Sequence, residues 1–230
     1  NVSFRVTASD NSAPSAMAFI PAGWFQMGDT FNDFPVQWNW GVNPEVPAHN
    51  VYVSPFYLEQ YEVTKALWDE VHDWATNHGY SFEYEDDTNS IVAARAPNHP
   101  ITGVSWLGAV KWCNARSEMA GQTPAYYTNE EHTVVYRSGD VELQKAFVDW
   151  YAGYRLPTEA EWEKAARGGV NGRRFAWSDT DTIDHTRANY VSATNSWNYD
   201  ASQTPGYHPE GWNGETNTWP GTTPTGHFAP

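Results

Sequence analysis

Hydrophobic residues recur at helical spacing in three stretches of the chain, and each stretch opens on a hydroxyl residue suited to capping. Thr64 precedes Leu67, Trp68, Val71, Trp74 and Ala75, which fall on one face, and Gly79 supplies a stop. Ser105 precedes Trp106, Ala109, Val110 and Cys113, the expected buried stripe of a second helix that Gly121 ends. The third start carries the most signals. Pro157 stands just ahead of Thr158, and Glu161 follows three residues later. The Thr158 hydroxyl can accept from the Glu161 amide while the Glu161 carboxylate accepts from the Thr158 amide, which is a capping box. Trp162, Ala165 and Ala166 then share a face, and Gly168-Gly169 offers a left-handed end.

Between the helices the period shortens to two. Residues 17–29 read as strand, Pro-Ala-Gly turn and strand, a hairpin-like opening, and residues 49–61 alternate again. Residues 122–153 predict a strand pair around Tyr126–Tyr136, a Ser138-Gly139-Asp140 turn and a short helix through Leu143, Phe147, Val148 and Trp150. Residues 80–100, with Glu83, Glu85, Asp86 and Asp87 together, read as a solvated acidic insertion. After Gly169 almost nothing is periodic, and a coil of that length suggests organisation by ligands or ions. Residues 1–16 form a strand and linker, either the end of an upstream domain or the first strand of this one; residues 17–230 form the main domain. Two to three helices around short antiparallel strands, with long loops, make the fold class α+β.

Composition sharpens the picture. Thirteen Trp, 13 Tyr and 10 Phe beside 17 Gly and 15 Pro imply irregular backbone stapled by large rings. A net charge of −15 repels polyphosphate and anionic membranes, so nucleic acid is a poor partner. One cysteine excludes an internal disulfide framework and a cysteine-rich zinc site. No run approaches the roughly 20 apolar residues of a spanning helix. The chain opens on Asn1 without a signal peptide, which reads as a processed or partial product.

The run Arg155–Gly169, RLPTEAEWEKAARGG, closely resembles the signature of the formylglycine-generating enzyme, or sulfatase-modifying factor, family. Three stretches match in order before it: Ile20-Pro21-Ala22-Gly23 with Phe25-Gln26-Met27-Gly28, then Phe56-Tyr57 with Tyr61-Glu62-Val63-Thr64, then Pro100–Cys113. The resemblance covers roughly residues 17–230 and implies an irregular, loop-rich C-type-lectin-like fold. It also implies a secreted, extracellular or periplasmic setting.

The family's oxidases convert a substrate cysteine to formylglycine with oxygen, using a cysteine pair that binds copper. Cys113 is the only thiol here and matches a structural helix position; a small buried hydrophobe and a disulfide to another chain are its two readings. Pro220–Pro230 resembles the segment that precedes the family's catalytic motifs, so the cysteine pair, and copper with it, is expected only from residues outside this sequence. On that reading the structure should show a second chain or an oligomer contact over the open sheet edge, or a gap in the sheet. The resemblance further implies calcium held by the Asn189 side chain and the Tyr190 carbonyl, with a looser match at Asn213 and Glu215. Asp179, Asp181 and Asp184 lack the glycine and distal glutamate of an EF-hand loop and read as a solvated loop. Glu62 matches a glutamate beside the family's substrate groove, and it equally suits a buried acid tied to backbone amides. No His-x-x-x-His pair occurs, so the iron site of related sulfoxide synthases has no counterpart. Two functions follow: a non-catalytic binding or structural module, with protein or carbohydrate as partner, or the first part of a formylglycine-generating oxidoreductase acting on a protein cysteine. No catalytic residue is assigned.

Overall fold

A computed structural model describes residues 17–31, 45–82, 94–177, 179–193, 197–209 and 221–228, together with the backbone of three two-residue strands at 5–6, 37–38 and 41–42. In chain order the elements are β1 (Arg5–Val6), β2 (Met17–Ile20), β3 (Gly23–Met27), β4 (Gln37–Trp38), β5 (Gly41–Val42), β6 (His49–Val53), β7 (Phe56–Glu59), α1 (Lys65–Thr76), α2 (Trp106–Met119), β8 (Tyr154–Arg155), α3 (Glu159–Arg167), β9 (Val191–Ser192) and β10 (Gly206–Tyr207). Three helices, short antiparallel pairs and much loop make the architecture α+β, as expected. The chain divides into two compact units: one from residues 1–18, 57–156 and 208–227, the other from 19–56, 157–207 and 228–230.

The first unit is built around α2. Thr64 caps α1 by accepting from the Leu67 amide at 3.2 Å, and Ser105 caps α2 by accepting from the Gly108 amide at 3.0 Å. Burial runs through Ala109 to Ala115 without a gap, so α2 is a core helix and not the one-sided helix its stripe suggests. Trp106 points outward, 57% exposed, while Lys111 and Asn114 are inside. Trp112 stacks on Trp68 of α1 at 5.4 Å and donates its indole N–H to the Trp68 carbonyl at 3.0 Å. Asn114 satisfies four backbone groups at once: its amide nitrogen donates to the Tyr126 and Tyr136 carbonyls, and its oxygen accepts from the Ala125 and Tyr126 amides. Strand β1 lies between β7 and β8, antiparallel to both, with Val6 opposite Tyr57 and Tyr154.

The 122–153 stretch departs from the expected strand pair and short helix. Isolated bridges join Tyr126 to Val148 and Tyr127 to Val135, and one 3-10 turn spans Lys145–Phe147. The Ala125 and Tyr126 amides and the Tyr126 and Tyr136 carbonyls bond the Asn114 side chain, while scattered backbone bonds such as Tyr127 N–H to the Phe147 carbonyl and Asp149 N–H to the Ala125 carbonyl join the rest. The expected hairpin at 17–29 also differs. Strands β2 and β3 belong to separate sheets, in the order β2-β7-β1-β8 for one and β3-β6 for the other. Most of the acidic insertion lies outside the described residues.

In the second unit β3 and β6 pair over five residues, from Gly23 opposite Val53 to Met27 opposite His49. Phe25 and Val53 turn inward; Trp24 and Tyr52 meet edge to face at 5.5 Å on the outer side. The capping box forms as expected: Thr158 N–H donates to Glu161 at 2.9 Å, and Glu161 N–H donates to the Thr158 hydroxyl at 3.2 Å. Gly168 ends α3 in the left-handed region at φ 59°. The buried side of α3 carries Glu161 and Lys164, whereas Trp162 is 50% exposed. Strands β9 and β10 pair antiparallel.

Candidate functional site

The second unit holds a cleft of about 430 Å³, bordered by one face of α3, the turn after β3, and parts of the loops that follow α3. Its size falls at the lower end of the roughly 300–1,000 Å³ typical of small-molecule sites. The α3 side presents Glu159, Trp162, Glu163 and Arg167, residues three or four apart that share a face.

Glu163 and Arg167 build the floor. Arg167 donates to Glu163 at 2.6 and 2.7 Å and to the Gly28 carbonyl at 2.8 Å, while the Gly28 amide donates to Glu163 at 2.9 Å. One helix face thus grips both backbone groups of Gly28. That residue sits at φ +104°, and a Cβ there would lie 2.5 Å from the Glu45 carbonyl, so the turn requires glycine. Asp29 N–H donates to the same Glu45 carbonyl at 2.7 Å. Below the floor, Lys164 donates to the Gly23 carbonyl at 2.9 Å, and burial lowers its pKa.

Rings and charges form the walls. The Arg174 guanidinium lies 4.1 Å over Phe31 and 4.7 Å from the Tyr199 ring, and pairs with Asp181 at 3.1 Å. Phe175 stacks on Trp177 at 4.9 Å and meets Tyr199 edge to face. The Arg173 side chain makes one long hydrogen bond, 3.4 Å to the Ala176 carbonyl. Burial raises the pKa of Glu45, and the neighbouring carboxylates of Glu163, Glu159 and Asp29 raise it further against Arg167. The Thr30 hydroxyl, also in the wall, is buried and without a hydrogen-bond partner among the described residues.

Of the residues singled out from the sequence, Asn189 and Tyr190 are not part of this lining. Asn189 is exposed on the loop before β9. The Tyr190 hydroxyl donates to Asp200 at 2.7 Å and meets the Ser202 hydroxyl at 2.7 Å. Asp200 also accepts from the Ser192 hydroxyl and the Ala193 and Ser202 amides. Burial alone would raise its pKa, but these donors together hold it at about 2. Asn213 and Glu215 lie outside the described residues. No group of three or more metal-ligating side chains occurs among the described residues.

Asp179 is paired to Arg187 at 2.6 and 2.8 Å, and Asp184 accepts from Thr186. Glu62 is half-buried in the first unit. Cys113 is 0% exposed on α2, and burial pushes its thiol pKa up. The residues missed from sequence are those of the cleft: Glu45, Glu159, Trp162 and Arg173 come from segments far apart, and only the helical spacing of 159, 162, 163 and 167 hinted at them.

The profile of the sulfatase-modifying factor enzyme 1-like domain matches residues 3–219. The chain belongs to this family. A formylglycine-generating enzyme of Streptomyces coelicolor is 32% identical over 223 residues, covering 87% of this chain and 66% of that protein. The inactive C-alpha-formylglycine-generating enzyme 2 of Bos taurus is 30% identical over 171 residues, covering 71% of this chain and 52% of that protein. The chain therefore spans less than two thirds of the length of either family member. Among solved structures, the crystal structure of CarF aligns with a TM-score of 0.55 at 28% identity, over 75% of this chain and 66% of that one. The family assignment and this likeness agree with the C-type-lectin-like α+β fold expected from the signature helix.

Proposed function

We propose that this chain acts as a non-catalytic binding module of the sulfatase-modifying factor family, with the second-unit cleft as its ligand site. The observation that carries the reading is the state of its one thiol. Cys113 is fully enclosed in α2, and burial holds it in the protonated form. Oxidation of a substrate cysteine by paired thiolates has no pair to use among these 230 residues. The cleft, in contrast, is open and lined by rings and charged groups. The reading includes an extracellular setting and a protein or carbohydrate ligand. The net charge of −15 disfavours nucleic acid, and no described helix is long and apolar enough to cross a membrane.

A second reading is favoured by the 87% coverage in the match to the Streptomyces enzyme: this chain is the first part of a formylglycine-generating oxidoreductase. One experiment separates the two. The full-length gene product that carries this chain is incubated with copper(I), air and a cysteine-containing sulfatase peptide, and the peptide is weighed by mass spectrometry. An unchanged thiol peptide is expected. Appearance of an aldehyde-bearing product that reacts with a hydrazide overturns the module reading.

A further inference from the structure

Segment 221–227 of the first unit, which forms no helix or strand, docks on the loop 95–101 around a buried histidine, His99. The loop itself is fastened to the start of α1. The Lys65 and Ala66 amides donate to the His99 and Pro97 carbonyls, and the Ile101 amide donates to the Val63 carbonyl, all at 2.9 Å. The segment is laid over it by another set of contacts. The Thr225 amide and hydroxyl donate to the Asn98 carbonyl at 3.0 and 3.2 Å, and the His99 Nδ1 meets the Thr222 hydroxyl at 3.0 Å. Gly226, at φ +73°, lies so close to the Tyr61 ring that a Cβ there would come within 3.3 Å of it.

The charged group that acts on the His99 ring is Arg95, whose guanidinium donates to the Thr222 carbonyl at 3.5 Å; no carboxylate among the described residues acts on it. On α1, the Lys65 ammonium is tied to Asp69. On the segment, the titratable side chain is His227, whose ring meets His208 edge to face at 6.0 Å. Burial and, next, the Arg95 charge lower the His99 pKa from 6.5, and the hydrogen bond to Thr222 only partly opposes them. Lifting the segment returns the imidazole to water and its pKa towards 6.5. The lifted form therefore holds the proton more tightly. Docking is at full strength above pH 6.5 and weakens as pH falls through 6.5 towards the lowered value. We propose that segment 221–227 is an acid-released strap, docked over His99 and Tyr61 at neutral pH and lifted when His99 takes up a proton. Release uncovers the Tyr61 ring and the loop at the head of α1 while both first-unit helices stay packed.

Hydrogen exchange on the whole chain between about pH 7.5 and about pH 5.5 tests this, read as protection factors so that the intrinsic pH dependence of exchange drops out. The Thr225 amide should lose protection severalfold across that range while the Lys65 and Ile101 amides hold theirs. His99→Gln keeps a hydrogen-bonding side chain but cannot ionise, and it should make Thr225 protection independent of pH. Reciprocity supplies a second readout. Gly226→Ala sets a Cβ against the Tyr61 ring at a strained φ and so loosens the strap at every pH. Imidazole NMR should then show His99 titrating closer to 6.5 than in the unaltered chain. The proposal is overturned if Thr225 protection is flat across the range, if the His99→Gln chain keeps the response, or if the His99 titration is unmoved in Gly226→Ala. It is equally overturned if Lys65 and Ile101 open together with Thr225, because the transition would then belong to the whole loop and not to the strap.

Discussion

The two units solve the problem of holding a helix in place by opposite means. In the first, the centre of α2 is enclosed by apolar side chains around the stacked Trp68–Trp112 pair, its interior Asn114 has all four hydrogen-bonding capacities used, and its ion pairs, Arg116 to Glu59 and Glu118 to Arg137, lie towards its C-terminal end. In the second, α3 holds its neighbouring strand through Lys164 on the Gly23 carbonyl and through Glu163 and Arg167 on Gly28. Apolar burial responds little to pH. Gripping a backbone with long charged side chains does the reverse: it leaves space beside the helix and makes the packing answer to protonation. The contrast teaches that this molecule keeps its stability in one unit and its candidate chemistry in the other.

The strongest way to break that contrast is to remove a ring from each unit. Trp112→Ala should cost about 4 kcal/mol in denaturant unfolding, the range for emptying a fully buried aromatic site. Trp162→Ala should stay within about 0.5 kcal/mol, because its ring is half in solvent. Equal costs would mean that the cleft wall is part of a core. Asn114→Leu comes next. It keeps the volume but removes the bonds to the Tyr126 and Tyr136 carbonyls and from the Ala125 and Tyr126 amides, and a loss of about 3 kcal/mol is expected. Arg167→Ala should cost about 2 kcal/mol, less than a deeply buried pair because both partners keep some solvent contact.

Asn114 also shows where the sequence stops being legible. The caps at Thr64, Ser105 and Thr158 and the glycine ends at Gly79, Gly121 and Gly168 could be read because their hydrogen bonds close within a few residues. An asparagine in mid-helix carries no such mark, since its partners are 11 to 22 residues away. Trp106 and Trp162 complete apolar stripes yet face outward, while Lys111 and Lys164 interrupt them and are buried. Spacing fixes which residues share a face, but not which face finds a partner. The cleft was invisible for the same reason. Its carboxylates and rings come from residues 28–45, 159–175 and 199, and only the fold brings them to one place.

Acid should expose the second unit's dependence on charge. The Asp200 pKa of about 2 lies below the ordinary 3.8, so its hydrogen bonds contribute fully above 3.8 and are lost as pH falls through about 2. Hydrogen exchange at the Ala193 and Ser202 amides, both donors to Asp200, should accelerate in that window before the α2 amides change. Asp200→Asn should abolish the pH dependence at those two amides and leave α2 protected. Simultaneous loosening of α2 would erase the distinction between the units.

The smallest effect belongs to Cys113. It packs as a small apolar side chain, so Cys113→Ala should cost about 1 kcal/mol. The sharper readout is its reactivity. With the thiol enclosed and its pKa raised, iodoacetamide should label Cys113 only at the rate at which the first unit unfolds, and labelling should slow in step with any added stability. Fast labelling of folded protein would mean that α2 is reached by solvent in the native state. The apolar enclosure would then not be the rigid partner in the contrast, and the case against thiol chemistry in this chain would lose its footing.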